Sequence, residues 1–354
     1  MMKILYKKLL KILFEIFYGK IQKPTKYKLN HKNLKITKLK CFSKIFKLYE
    51  INQGKIFTDC NTNVAYITKD NFITKFSYQQ KGNGMSSIKY NSVLKFGTPK
   101  TRKNICGSVF SLIQGASGKN YFHWLFDLLP KIEILHNQKK LKKIDYFFVP
   151  NITRNIIETL KIYGIRKNQL IDSQKYKHIQ ANKIFFLENI YLKNGEFQKQ
   201  FENIPYIVTK TMREKLLRYK GKKFNFEKIF IDRSDSKFAH YQLYNNDKII
   251  RKLKLDKFGI FKLSKLKIFD QIALFNSAKV VVGLHGAGFA NVMFCKRKTK
   301  IYEILKKNDK KRNATKTICK HIGLKYKKIL INKLSDYKSH RQLLLDNNFF
   351  KIIK

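Results

Sequence analysis

Residues 280–294 read VVVGLHGAGFANVMF, and no other segment limits the fold as strongly. Val280 to Leu284 form an apolar run without a polar break, which suits a strand buried on both faces, as in parallel sheets. Gly286 and Gly288 then remove side chains where the chain must turn. The apolar spacing beyond them predicts a helix over about 287–295. A strand that passes through a glycine turn into a helix is half of a βαβ unit. The pattern recurs in the strands Ile229-Phe-Ile-Asp, Gly259-Ile-Phe-Lys-Leu and Ile301-Tyr-Glu-Ile-Leu, with helices expected at about 206–219, 246–254 and 266–277. Upstream, Ser108–Gln114, Tyr146-Phe-Phe-Val and Ile184-Phe-Phe-Leu read as strands. Helices are expected at Tyr121–Asn137, kinked or broken at Pro130, and at Asn151–Tyr163. Residues 27–96 show short alternating runs that read as antiparallel strands.

The expected architecture is two α/β lobes facing a cleft, with a β-rich N-terminal portion. The polar stretch 194–205 divides them, giving segments 1–22, 23–204 and 205–334. Residues 335–354 are expected to form a helix that packs back on the first lobe. The length of 354 residues accommodates two domains, and 44% hydrophobic residues exclude global disorder. Five cysteines, at 41, 60, 106, 295 and 319, form no CxxC pair. That argues against a disulfide scaffold or a Cys-rich zinc site and fits a reducing compartment.

Lys and Arg number 76 against 23 Asp and Glu, a net charge of +53. A biased genome writing lysine into tolerant surface positions accounts for such a charge. So does attraction to an anionic membrane, to nucleic acid or to phosphate-bearing substrates. In the opening MMKILYKKLLKILFEIFYGK, Lys3, Lys7, Lys11 and Glu15 form one helical stripe with Lys8 beside it. Leu5, Leu9, Ile12, Leu13, Ile16 and Phe17 fill the opposite face. The charges leave no uncharged run of about 20 residues to span a bilayer, and no small-residue cleavage site follows to mark a signal peptide. The segment reads as a helix lying on an anionic membrane surface, or as a first helix docking its apolar face on the protein's own core.

Two segments carry chemistry. His285 follows a strand's carboxyl end, where open α/β sheets bind ligands. The glycines beside it let a ligand approach the backbone, and the next helix's first N–H groups suit a phosphate or diphosphate. The same residues would also serve a tight structural turn. In Asn120-Tyr-Phe-His-Trp-Leu-Phe-Asp-Leu-Leu-Pro130, His123 and Asp127 share a helical face one turn apart. Such a pair can act as a general base or simply cap an amphipathic helix. Walker, GxGxxG, HExxH, kinase and Ser-hydrolase motifs are absent, as is Asp-x-Asp, and no zinc-finger, RNP1 or GxxG pattern supports specific nucleic-acid binding.

Four blocks in order, HWLFDLLP, Ile-Asp-Arg233-Ser-Asp-Ser, Phe269-Asp-Gln271-Ile and GLHGAGFANVMF followed by Glu303, resemble glycosyltransferase family 61 over about 105–305. The resemblance implies a GT-B-like fold, with an acceptor lobe at 23–204 and a donor lobe at 205–334. It also implies a nucleotide-sugar donor, a glycan or glycolipid acceptor, inversion at the anomeric carbon, and no required metal or other cofactor. Carried over by position, Arg233, His285, Gly286, Ala287, Gly288 and Asn291 would hold the donor diphosphate. Glu303 would lie near the ribose, Gln271 would support the pocket, and His123 and Asp127 would face the acceptor. The family's second Arg, in an R-x-x-N-E run, is replaced here by Gln242-Leu-Tyr-Asn245-Asn246. Losing both halves of one ion pair would read this way; if the Arg touched the donor, Lys237 or His240 must replace it. The expected activity is inverting sugar transfer in capsule-type polysaccharide or glycolipid synthesis, peripherally at the cytoplasmic face of a membrane. A nucleic-acid-binding basic protein and a non-catalytic family member are the alternatives.

Overall fold

Short apolar runs separated by lysine-rich turns favour strands that share one sheet, and the first half of the chain builds such a sheet. The computed structural model describes residues 2–23, 34–59, 63–74, 76–81, 84–86, 91–98, 100–114, 120–188, 190, 204–235, 242–243, 245–310, 312–331, 342–343, 345 and 347–353. The chain divides into two units, Met1–Gln200 and Phe201–Lys354.

The first unit opens with helix α1 (Met2–Tyr18) and holds ten described strands. These are β1 (Leu34–Cys41), β2 (Lys44–Asn52), β3 (Lys55–Thr58), β4 (Asn63–Ile67), β5 (Tyr78–Lys81), β6 (Gly84–Ser86), β7 (Lys103–Ser111), β8 (Tyr146–Val149), β9 (Leu170–Asp172) and β10 (His178–Leu187). The strand order is β6-β5-β4-β3-β10-β7-β8-β9, with β2 also paired to β10 and β1 to β2. The β10-β7-β8-β9 portion is parallel and the rest antiparallel. The early alternating runs therefore extend the α/β sheet rather than forming a separate layer. A buried cluster of Tyr49, Ile51, Ile56, Tyr66, Val109, Phe148, Ile179 and Ile184 covers one region of it.

The helix expected at Tyr121–Asn137 is present but altered in the middle. Trp124–Leu128 is a π-helical turn, and Leu129–Asn137 continues as α-helix. Leu129 N–H bonds five residues back to Trp124 O. Pro130 gives the physical reason: it has no N–H for Phe126 O, and its ring crowds that carbonyl in a regular helix. Widening the turn removes the conflict without breaking the rod.

The second unit has a five-stranded parallel sheet made of β11 (Lys228–Ile231), β13 (Phe258–Phe261), β14 (Val280–Leu284), β15 (Lys300–Lys306) and β16 (Lys325–Ile331). The short β12 (Gln242–Leu243) pairs with β17 (Gln342–Leu343) outside it. The sheet order is β13-β11-β14-β15-β16. The chain runs from β11 outward to β13, then returns to the other side of β11 with β14. In such doubly wound sheets the direction reverses between the first and third strands, and a crevice opens beyond their carboxyl ends. Here those ends are Ile231 and Leu284.

Three expectations need correction. Residues Ala287–Phe294 form a 3₁₀-helix, not an α-helix. The helix Asn347–Ile353, expected against the first lobe, packs in the second unit: Phe349, Phe350 and Ile353 join Leu253, Phe258, Ile304 and Ile329 in that unit's core. Its apolar side chains find the face of the parallel sheet that the lysine-rich β16 leaves uncovered. The helix Ala314–Ile322 and β16, which the sequence reading did not assign, complete the sheet's far edge.

Candidate active site

The crevice of the second unit is built from the turns after β11 and β14. After β11, Asp232 is buried and locks the turn: Ser234 N–H and Oγ–H both donate to its carboxylate at 2.9 Å, and Lys262 lies 3.7 Å away. Arg233, next in sequence, donates from Nη1 to His285 O, the first carbonyl beyond β14. One arginine therefore ties the two strand ends together across the switch point.

Gly286 makes that possible. Its backbone is extended, so no special conformation requires glycine. A Cβ there would stand only 2.5 Å from Arg233 Cζ and Nη1. Gly288 is small for a similar reason, because a Cβ would meet Leu263 at 2.8 Å. Ala287 and Gly288, both partly buried, begin the 3₁₀-helix beside them.

His285 has an exposed edge and a fixed one. Its Nδ1–H donates to Glu303 Oε1 at 2.6 Å. Expected near a ribose, Glu303 is instead 1% exposed on β15, with its oxygens engaged inside the protein. Thr315 Oγ–H donates to Oε1 at 2.8 Å and Tyr326 O–H to Oε2 at 2.6 Å. Burial, together with the Glu303 carboxylate, holds the Tyr326 phenol above its ordinary pKa. A carboxylate fixed by two hydroxyls orients the ring.

Asn291 and Gln271 stand further in. Asn291 Nδ2 donates to Gln271 Oε1 at 2.9 Å, and Gln271 Nε2 donates to Leu263 O at 2.9 Å and Leu266 O at 3.2 Å. Both are buried. They hold the 3₁₀-helix against the Ile268–Ser277 helix and the segment after β13, and so position the turn rather than line it. Phe230, Asp232, Arg233, Ser234, Gln242, Leu243, Asn246 and Leu284 enclose a cavity of about 180 Å³. Pockets for drug-sized ligands run roughly 300–1,000 Å³, so this one suits part of a larger molecule. The neutral Gln242 and Asn246 share its wall with Arg233; Lys237 and His240 lie outside the described residues.

In the first unit, the π-turn brings His123 and Asp127 together, with His123 Nδ1–H donating to Asp127 Oδ2 at 2.7 Å. Asp127 is fully buried and His123 is 5% exposed. With the proton on Nδ1, the ring's basic lone pair is at Nε2. Trp124 anchors the turn by donating from Nε1 to Thr159 Oγ1 at 2.9 Å. Lys131, one turn beyond Asp127, is buried and donates to Leu187 O at 3.3 Å. Burial pushes its amine down to about 8, with Asp127 and Glu188 acting in the opposite direction. The Gly115–Lys119 loop before this helix lies outside the described residues.

Sequence reading missed Thr315, Tyr326 and Lys131. Tyr326 could have been found through strand register. Glu303 pairs with Lys328, so Tyr326, two residues earlier, projects on the same face. Among the described residues no cluster of three His, Cys, Asp or Glu has metal-ligand geometry. No described helix is long and apolar enough to cross a membrane.

Residues 121–302, just over half of the chain, match the family model described as Glycosyltransferase 61. That span begins two residues before His123 and contains every site residue described above except Glu303, Thr315 and Tyr326. No curated protein matches the chain.

Proposed function

The chain belongs to glycosyltransferase family 61, and from that premise we propose that it is an inverting transferase with a GT-B-like arrangement, taking sugar from a nucleoside-diphosphate donor. The single observation that carries the donor assignment is the Arg233–His285 tie across the switch point of a doubly wound sheet, beside a partly polar cavity. Arg233 supplies positive charge, the protonatable His285 is held beside it by buried Glu303, and the Ala287 and Gly288 amides add hydrogen-bond donors. Charge developing on the departing diphosphate would be stabilised there, and such preorganised donors commonly give the largest share of catalysis.

In the proposed reaction, His123 Nε2 takes the proton from an acceptor hydroxyl, with Asp127 holding the ring and stabilising the imidazolium. The acceptor oxygen forms its bond to the anomeric carbon as the carbon–oxygen bond to the diphosphate breaks, which inverts that centre. No residue forms a covalent sugar intermediate, and no metal is required in this reading. The acceptor is a surface polysaccharide or glycolipid, met peripherally at the cytoplasmic face of a membrane.

The test is calorimetry with UDP, GDP and their sugars, alongside thermal stabilisation by UDP-, GDP- and CMP-sugars. Arg233→Ala and His285→Ala should each weaken nucleoside-diphosphate binding by about 1.5 to 3 kcal/mol, the range for hydrogen bonds to charged groups. Unchanged affinity in both variants removes the assignment. A second reading, a family member that binds donor without transferring it, is favoured by one observation: with Gln242 and Asn246 neutral, Arg233 is the one cationic lining residue of the cavity among the described residues. Tight donor binding with no transfer to any acceptor would select it.

A further inference from the structure

α1 is an amphipathic helix docked the wrong way round for a soluble domain. Its buried or half-buried side chains are Leu10, Lys11, Phe14, Glu15 and Tyr18, on or beside the polar stripe. Phe14 packs edge-on to Phe57 at 5.4 Å, in a cluster with Ala65, Ile67, Ile73 and Val93. Tyr18 meets His178 at 4.7 Å, lies under the Arg102 guanidinium, and accepts a hydrogen bond from Arg102 N–H at 3.1 Å. Asn71 Nδ2 closes the end by donating to Tyr18 O at 2.9 Å. Lys7, from the charged stripe, sits 4.6 Å over the Phe96 ring. The helix is thus fixed through its polar side.

The broad apolar face consequently points outward. Leu5, Leu9, Ile12 and Ile16, spaced as one face of a helix, are 54–71% exposed, and Leu13 and Phe17 continue the patch. Neither sequence alternative alone anticipated this: the helix belongs to the first unit, and its apolar face is still uncovered. Patches of this kind on soluble proteins mark interaction surfaces.

We propose that this face of α1 is a membrane-contact surface that inserts into the interface of an anionic bilayer. The charge selects that occupant. Lys3, Lys7, Lys8 and Lys11 share the helix with a single carboxylate, Glu15, on a chain of net charge +53. A second copy would bring these lysines against their own kind, whereas anionic headgroups neutralise them. Exposed Lys8 flanks the patch where a headgroup would lie, and Tyr6 and Phe17 border its other side with rings suited to the interface. This deepens the peripheral location proposed above and rests on that location, not on the sugar chemistry.

The experiment is vesicle flotation of the full chain with phosphatidylcholine alone and mixed with phosphatidylglycerol, across a salt series. The wild-type chain binds the mixed vesicles, and less as salt rises. Leu9→Asp with Ile16→Asp lowers binding by more than about tenfold, because burial of both side chains drives partition. Its melting curve stays that of the wild type, since both residues are solvent-exposed. Lys8→Glu weakens binding at low salt and makes the loss with salt shallower, at an intact apolar face. If the double variant floats like the wild type, charge alone holds the chain; the inference fails and the peripheral location stands. If the wild-type chain binds no vesicle at any salt, both fail. If sedimentation shows a wild-type dimer that the double variant dissociates, without vesicle binding, the occupant is a second copy and the proposal is overturned.

Discussion

Gly286→Ala isolates the proposed donor cradle from the fold that carries it. The added Cβ would sit 2.5 Å from Arg233 Cζ and Nη1 and 3.0 Å from Nε, where carbon contacts settle at about 3.5 to 4.0 Å. Gly286 is extended, so alanine brings no backbone strain, and the whole penalty falls on the contact. The nearest atoms are the end of a flexible side chain that is only partly buried, so the guanidinium moves by about 1 Å and the turn stays. Moving it breaks the donation to His285 O and shifts the charge away from the switch point. Loss of a hydrogen bond to a charged group is worth about 1.5 to 3 kcal/mol, which weakens diphosphate binding about 10- to 150-fold. Titration calorimetry with nucleoside diphosphate reads the loss, and melting curves should barely move. The decisive measurement is the double-mutant cycle: placed on Arg233→Ala, the alanine should add less than about 0.5 kcal/mol, since its target is gone. Normal donor affinity in Gly286→Ala, or fully additive losses in the cycle, would refute the reasoning.

For the proposed base, His123→Ala lowers turnover by roughly 10²- to 10⁴-fold with donor affinity unchanged, and Asp127→Asn is milder. The reverse order makes Asp127 the base, and near-normal turnover in both well-folded variants removes the pair from the chemistry. Lys131 gives a stability signature, because its amine is lowered to about 8 in the folded chain against an ordinary 10.5. The folded state then binds fewer protons between those values, so stability rises as pH climbs through that window and is lost again as pH falls through about 8. The wild-type minus Lys131→Met difference in urea midpoint should show that slope, and a flat difference contradicts it. Chelator should leave turnover intact, whereas a complete loss restored by added divalent metal would overturn the metal-independent mechanism.

The parallel sheet of the second unit was legible because β11, β13 and β14 are unbroken apolar runs. The glycine turn was legible because Gly286 and Gly288 have no packing alternative beside Arg233 and Leu263. What escaped was governed by partners distant in sequence. β16 reads KYKKILI, and its lysines hide a strand that only pairing with β15 makes stable. Tyr326 and Thr315 look unremarkable until the fold brings them to one buried carboxylate. The π-turn follows from Pro130, but choosing a wider turn over a kink or a break depends on Trp124 reaching Thr159. The docked side of α1 stayed open in the sequence for a related reason. Helical spacing distinguishes an apolar face from a polar one, yet only the aromatic cleft around Phe57, Phe96 and His178 decides which face is bound.

The same chemical device occurs once in each unit, and the difference between the two copies supports separate roles. In both, a histidine donates from Nδ1 to a carboxylate that is at most 1% exposed, at 2.6 or 2.7 Å. Such a carboxylate fixes the tautomer and orients the ring, which serves a proton acceptor and an anion binder equally well. The dyad alone therefore cannot assign either role; the neighbours can. His285 stands where Arg233 crosses a switch point and a glycine turn bares backbone N–H groups, and every one of these favours a bound anion. The Phe122 ring meets His123 edge-on at 5.9 Å and also packs on Phe126, and Lys131, one turn beyond Asp127, is buried with its amine lowered. Diphosphate has little to hold it there, whereas His123, with Nδ1 engaged by Asp127, keeps a lone pair at Nε2 able to accept a proton. In the proposed function, the placement of positive charge, more than the histidines themselves, separates donor binding from acceptor activation.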